Sequence, residues 1–526
     1  MSGEGDIRRQ RALIDALAAV LEQSHGNVAR FETHISWVLV AGATAYKFKK
    51  ALRFDFLDFS TLAARRFYCQ EEVRLNRRLA PEIYLDVLAV GGSPAHPRLD
   101  DGAPIEYCVR MRAFPQQALW SYRLRHGLLS GAEIDSLADA IARFHGAAAA
   151  APAGAPWGEA VQLRQVAADN HAQILASVGG PALQWARAIE AWSVRQQDRL
   201  QPVFSERRSR GFVREGHGDL HSGNILTLDG KAQAFDCIEF NEGLRWIDVI
   251  NDIAFIYMDL RFQGRGEQAA RLLNRYLESG GDYEGLRLLR YYQVQRALVR
   301  CKVALLQARQ SGLTHTDAAA HESEGLRYLD YARQNIAPQR ACIMITHGFS
   351  GSGKSVFARQ VVECAGAVQL RSDVERKRLH GVPPAAEAAS GAGLYGAQAT
   401  TRTYARLLTL ARLIAEEGMP VVVDAAFLRQ AQRRDFMALA AELGIPFFIF
   451  DVHASEATMR QRVLQRQQQG NDASDAGIDV LQQQLREHDP LSGEELEHAI
   501  PVDTEAPLEV SRVRQLCTRA MLDARA

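Results

Sequence analysis

The chain has 526 residues, with 47% apolar and 24% charged side chains, which is the composition of a globular protein with room for several cores. Lys+Arg and Asp+Glu are both 62, so the net charge is zero, and binding to long nucleic acid through backbone electrostatics is disfavoured. No apolar run approaches the roughly 18 residues of a membrane span, and from the polar start MSGEGDIRRQR no secretory signal is expected. Seven scattered cysteines, with no C-x-x-C pair, argue against a disulfide framework or a zinc site. A cytoplasmic, multi-unit protein with reduced thiols is expected.

In chain order, an amphipathic helix opens the sequence, with Leu13, Leu17, Val20 and Leu21 on one face. Alternation then predicts strands at Ile35–Ala41 and Thr44–Lys49, joined by a turn at Gly42. A helix follows over Thr61–Leu79, then strands at Tyr84–Val90 and Ile105–Arg112, with the Gly/Pro-rich GGSPAHPRLDDGAP between them as a connection. From Pro115 to about Asn335 the pattern is mostly helical. It is broken by a loop at Gly146–Pro156 and by a hairpin of Asn224–Leu228 and Ala232–Asp236 around Asp229-Gly230. A linker is expected at 336–340. Beyond it, strands at Cys342–Thr346, Ala367–Leu370, Pro420–Asp424, Pro446–Val452 and Ala499–Val502 alternate with helices, the signature of a parallel sheet. The stretches Gly381–Thr401 and LQRQQQGNDAS read as an acceptor-side loop or connector and as a lid tip or helix end, respectively.

The segment Gly348-Phe349-Ser350-Gly351-Ser352-Gly353-Lys354-Ser355 fits G-x-x-x-x-G-K-[ST], set between a strand and a helix. Gly348, Ser350, Gly351, Ser352 and Gly353 would turn backbone N–H groups onto phosphate oxygens. Lys354 would neutralise the β/γ phosphates, and Ser355 would ligate magnesium. Asp373, after the second strand, suits a general base for an attacking hydroxyl, though it also opens a helix and could cap it. Asp424, at the end of PVVVD, suits the magnesium shell. Arg462 and Arg466 share a helix face, where two like charges would be reconciled by an anionic ligand, as in a lid; the alternative is a solvated face paired with local acids. These residues resemble the small P-loop kinases of the zeta-toxin, polynucleotide-kinase and chloramphenicol-phosphotransferase type, over most of 341–505.

A second constellation lies upstream. In His217-Gly218-Asp219-Leu220-His221-Ser222-Gly223-Asn224 an Asp precedes an Asn by five positions, the spacing of a kinase catalytic loop. Asp219 would take the acceptor proton, Asn224 would bind magnesium, and Asp236, one hairpin later, would supply the second metal carboxylate. Lys47, on the second strand, is expected to pair with Glu72 on the following helix and orient the phosphates. Lys49 and Glu71 are rivals that alternation cannot separate. The motifs HGDLHSGN and FDCIEF resemble the aminoglycoside-phosphotransferase, protein-kinase-like family over roughly 25–330. That resemblance implies adenine seated near Ile105–Phe114 and structural roles for Asp248 and Asp252. The family's glycine-rich phosphate-covering loop has no counterpart near Ile35–Thr44.

The expected fold is therefore an α+β protein-kinase-like two-lobed domain at 1–335 (small lobe about 25–112, helical lobe about 113–335), followed by an α/β P-loop NTPase domain with a parallel sheet at 341–526. The whole resembles bacterial fusions of these two kinds of domain. The expected function is an ATP- and magnesium-dependent phosphotransferase with two sites acting on hydroxylated small molecules. Two alternatives stand beside it: a nucleotide-sensing regulatory or toxin–antitoxin-like protein in which one domain controls the other, and a 5′-hydroxyl polynucleotide or nucleotide kinase.

Overall fold

The computed structural model describes residues 3–54, 57–309, 314–339, 341–382, 396–469, 477–506, 511 and 513–515. Most of Gly381–Thr401, the tip of the Gln-rich stretch and Cys517 lie outside them. The chain forms two compact units, one of residues 1–169 with 197–259 and one of residues 170–196 with 260–526.

The first unit is built on a six-stranded antiparallel sheet. Its spatial order is Val28–Glu32, Ser36–Ala41, Thr44–Lys49, Glu106–Arg112, Tyr84–Ser93 and His96–Leu99. Three of the four expected small-lobe strands are reproduced within one residue at each end; Tyr84–Ser93 runs three residues beyond the predicted Val90. The outer two were not expected. Val28–Glu32 buries only its first residue, so it carries no alternation, and His96–Leu99 lies inside the Gly/Pro-rich connection. The hairpin joining Ser36–Ala41 to Thr44–Lys49 pairs Ala41 with Thr44, which leaves Gly42 and Ala43 as a two-residue turn. A turn this short has no length to form a glycine-rich flap.

The opening helix, Gly3–His25, covers one face of this sheet. Leu13, Ile14, Leu17, Ala18 and Leu21 pack against Trp37, Leu39 and Phe48. Val20, expected on that face, is instead 43% exposed. At 100° per residue the buried stripe centres between Leu17 and Leu21, and Val20 falls about a quarter turn from that centre, just past the edge marked by Leu13. On the sheet's other face lies the helix Leu62–Asn76, capped by the Thr61 hydroxyl. It packs Cys69 and Val73 against Val109 and Met111.

The second unit holds a five-stranded parallel sheet in the order Val368–Arg371, Val421–Asp424, Ile343–His347, Phe447–His453 and Ala499–Asp503. Its central strands are apolar on both faces, as a strand between two helix layers must be. Met344, Phe357, Val361, Val422, Phe450 and Val502 form one of its cores. The unit begins well before the expected linker at 336–340. The helices Gly266–Gly280, Leu286–Ala308 and His315–Ile336 belong to it, and Ala270 lies in the same core as Phe357 and Val361. Sequence motifs and packing thus divide the chain at different places.

Among the described residues all six cysteines are unpaired, and no helix is long and apolar enough to cross a membrane.

Two candidate phosphate-transfer sites

In the first unit, the strand Thr44–Lys49 and the helix Leu62–Asn76 bring together two lysines and one glutamate. Lys47 Nζ donates to Glu72 Oε1 at 2.7 Å, and Lys49 Nζ donates to Glu72 Oε2 at 2.7 Å. Each lysine also has a second carboxylate: Asp236 for Lys47 and Glu239 for Lys49. Strand alternation left Lys47 and Lys49 indistinguishable because they are on one side, and the structure uses both. Glu71 turns away, onto Arg74 at 2.8 Å. Glu239 was missed, although it stands three residues after Asp236 in FDCIEF.

Burial opposes charge here, and partners reverse it. Burial would pull the Lys47 ammonium down, but Asp236 and Glu72 hold it well above its ordinary value. Burial would raise Glu72, but Lys47 and Lys49 bring it down to about 2. Burial raises Glu239, with Lys49 acting against it.

The His217–Asn224 segment is held from beneath. Asp252 Oδ2 accepts from the His217 N–H at 2.6 Å, and Oδ1 accepts from the Gly218 N–H at 2.8 Å. Burial alone would raise this carboxyl, but the His145 and His217 contacts bring it to about 2. His217 Nδ1 accepts from the Asp219 N–H at 3.2 Å, so Nε2 carries the proton and donates to Phe235 O at 2.9 Å. Desolvation lowers the His217 pKa, consistent with a neutral ring. The structural role expected of Asp252 is thus specific: it fixes the backbone on which Asp219 sits. Asp248 pairs with buried Arg207 at 2.7 Å.

Asp219 remains about one-third exposed, with His221 Nε2 3.4 Å from its Oδ2. Asn224 Nδ2 donates to Asp219 O at 3.1 Å and to Oδ2 at 2.9 Å, which fixes the amide and leaves Oδ1 as its acceptor atom. The hairpin Ile225–Leu228 with Lys231–Ala234 returns the chain to Asp236. That residue has a φ of +61°, and its N–H donates to the Tyr84 hydroxyl at 3.1 Å. A left-handed aspartate is a strained conformation, retained here by Tyr84 and by Lys47.

In the second unit, the strand Ile343–His347 leads through Gly348–Gly353 into the helix Lys354–Ala365. Two glycines are required by close approach. A Cβ on Gly348 would lie 2.2 Å from Val452 O, and one on Gly351, at φ +81°, would lie 2.4 Å from Met459 O. Lys354 Nζ donates to Phe349 O at 2.6 Å, folding its side chain back over the loop. Burial lowers its pKa to about 8; Asp424 and Asp373 act the other way, and Arg466 adds to the lowering. Asp424 is raised by burial, against Arg371 and a hydrogen bond from Ser355. Lys354, Ser355, Asp373, Asp424 and Arg466 therefore share one electrostatic neighbourhood.

Arg462, expected in a lid, lies against the loop. Its guanidinium donates to Thr504 O at 2.7 Å, to Thr504 Oγ1 at 2.9 Å and to Gly351 O at 3.4 Å, while Thr504 Oγ1 donates to Ser352 O at 2.6 Å. It braces the loop. The Ser350 N–H points at Gln484 Oε1, 2.8 Å away. Thr504 and Gln484 were both missed; each acts by tertiary contact, with no local motif to mark it.

Among the described residues no cluster of three or more His, Cys, Asp or Glu side chains would hold a resident metal. The donor sets Asn224 with Asp236, and Ser355 with Asp424, offer hard oxygen atoms from two side chains per site. They fit a magnesium ion that completes its shell with phosphate oxygens and water.

The two constellations define a class: a protein-kinase-like phosphotransferase fold joined to a P-loop α/β fold. The phosphotransferase enzyme family matches residues 64–289, and the AAA domain family matches residues 343–491. The chain belongs to the same family as an uncharacterized protein of Mycobacterium tuberculosis. The two are 30% identical over 449 residues, 84% of this chain and 87% of that protein. An uncharacterized protein of Mycobacterium bovis matches over the same extent and at the same identity. Similar solved structures include an amicoumacin kinase, 14% identical, over 63% of this chain and 97% of that one, with a TM-score of 0.39. A gluconokinase from Sinorhizobium meliloti is 22% identical over 36% of this chain and 94% of that one, with a TM-score of 0.25.

Proposed function

We propose that the chain is an ATP-dependent phosphotransferase with two sites, each moving a γ-phosphate to a hydroxyl of a small molecule. The observation that carries this reading is the completeness of the first site. Lys47 reaches both Glu72 and Asp236, and Asn224 is tied to Asp219. A scaffold that only bound a partner would have no need for a buried lysine held between two carboxylates.

At the first site Lys47, kept charged by Glu72, orients the nucleotide phosphates. Asp219, on a loop fixed by Asp252, accepts the proton of the acceptor hydroxyl. At the second site the loop N–H groups and Lys354 hold the phosphates, and Asp373 takes the acceptor proton. Arg466 faces the developing charge, while Arg462 keeps the loop in shape. Magnesium, held by Asn224 and Asp236 or by Ser355 and Asp424, would neutralise charge on the phosphate oxygens.

The test is transfer from γ-labelled ATP into a polar-metabolite extract, comparing wild type with Asp219→Asn and Lys354→Met. Two labelled products, each lost in a different variant, are expected. A single substitution that abolished all transfer while folding stayed intact would exclude two independent sites.

A further inference from the structure

The helix Gly266–Gly280 lies in the stretch matched by the phosphotransferase family, yet it packs within the P-loop unit. One face carries Ala270, Asn274 and Glu278, spaced by four residues. Ala270 enters the core beside Phe357. Asn274 serves the edge strand Val368–Arg371 as a missing neighbour would. Its Oδ1 accepts from the Gln369 N–H at 2.6 Å, and its Nδ2 donates to Ala367 O at 2.9 Å. One turn on, Glu278 Oε1 accepts from Arg371 at 2.9 Å.

Both strand residues fixed in this way reach Asp424. Gln369 Nε2 donates to Asp424 Oδ2 at 3.1 Å, and Arg371 Nε stands 3.8 Å from the same oxygen. Arg371 thus stands between two carboxylates: it is hydrogen-bonded to Glu278 and within ion-pair distance, but not hydrogen-bond distance, of Asp424. Asp424 is 5% exposed, and Ser355 lies near enough to act on its carboxyl. A guanidinium free to close on it in bidentate fashion would occupy its oxygens.

We propose that Glu278 is a positioning residue of the P-loop site. By holding Arg371 it keeps that cation from closing on Asp424, so the carboxylate remains open to Ser355 and to the magnesium of a bound nucleotide. The proposal rests on the reading of the second site as a nucleotide site. It assigns to a helix from the phosphotransferase-matched stretch a part in the other site's metal affinity.

The test is calorimetric binding of ATP to the full chain, with magnesium and with a chelator, at a pH well above the carboxylate range. The P-loop component is the binding lost in Lys354→Met. Wild type should gain affinity at this component when magnesium is present. Glu278→Gln should shrink that gain by roughly 10- to 100-fold, the usual effect of losing a group that orients a metal ligand, with metal-free affinity unchanged. Adding Arg371→Gln to Glu278→Gln should restore the gain, which a merely structural role for Glu278 would not allow. Arg371→Gln alone should keep it. A full magnesium gain in Glu278→Gln, no restoration in the double variant, or loss of the gain in Arg371→Gln would each overturn the proposal. Unchanged ATP binding in Lys354→Met would instead overturn the nucleotide reading beneath it.

Discussion

Glu72→Gln isolates the charge at the centre of the first site. Glu72 is fully buried between Lys47 and Lys49, each at 2.7 Å. Its carboxyl is brought from an ordinary 4.5 to about 2. At 1.36 kcal/mol per pKa unit, that displacement is worth about 3 kcal/mol at neutral pH. A separate argument gives a similar value, since removing one partner of a buried ion pair costs about 3–5 kcal/mol. Asp236 and Glu239 remain for the two lysines, so the lower end is expected. Because the folded carboxyl is depressed, its contribution is complete above about pH 4.5 and is lost as pH falls towards about 2. The variant should therefore be less stable by about 3 kcal/mol at neutral pH and equal to wild type near pH 2. Urea unfolding, followed by hydrogen exchange of a peptide spanning Thr44–Lys49, reads this unit separately from the other. A neutral-pH difference below about 1 kcal/mol, or one that persists unchanged into strong acid, would refute the reasoning.

Asp219→Asn should lower transfer at the first site by about 100- to 10,000-fold and spare the second; product analysis with γ-labelled ATP checks both halves. Lys354 has a pKa near 8, so ATP affinity at the P-loop should fall as pH rises through about 8, measured by titration calorimetry. Because that lysine is depressed from 10.5, the unliganded second unit should gain stability over the window from about 8 to 10.5, where only its unfolded form keeps the proton. Gly351→Ala should abolish nucleotide binding at the P-loop while the first site still binds, because the new Cβ would meet Met459 O at 2.4 Å. Arg433, fully buried on Glu495 at 2.6 Å, should cost about 3–5 kcal/mol when changed to Met, read from melting of the second unit.

Much of this was legible because it is local. The Gly348–Ser355 loop and the His217–Asn224 loop carry their chemistry in consecutive residues, and the parallel strands announced themselves by apolar runs bounded by turns. Strand ends shifted by a residue, as in Ile343–His347 for the expected Cys342–Thr346. What escaped was tertiary. Alternation placed Lys47 and Lys49 on one side but could not show that one glutamate takes both. Arg462 and Arg466 looked alike on a helix face, yet only the fold brings Thr504 and Gly351 to Arg462. Asn274 and Glu278 had no motif at all, since their partners lie about ninety residues away. The compact units also ignore the expected linker, because helices before it supply core residues such as Ala270 to the sheet after it.

The central claim is that one chain carries two independent nucleotide sites. The most direct measurement needs no acceptor: the number of ATP molecules bound per chain at saturation, by equilibrium dialysis with magnesium. The account predicts two for wild type, one for Lys47→Met, one for Lys354→Met and none for the double variant. A wild-type value of one, or a single substitution that removes all binding from a folded chain, would contradict it.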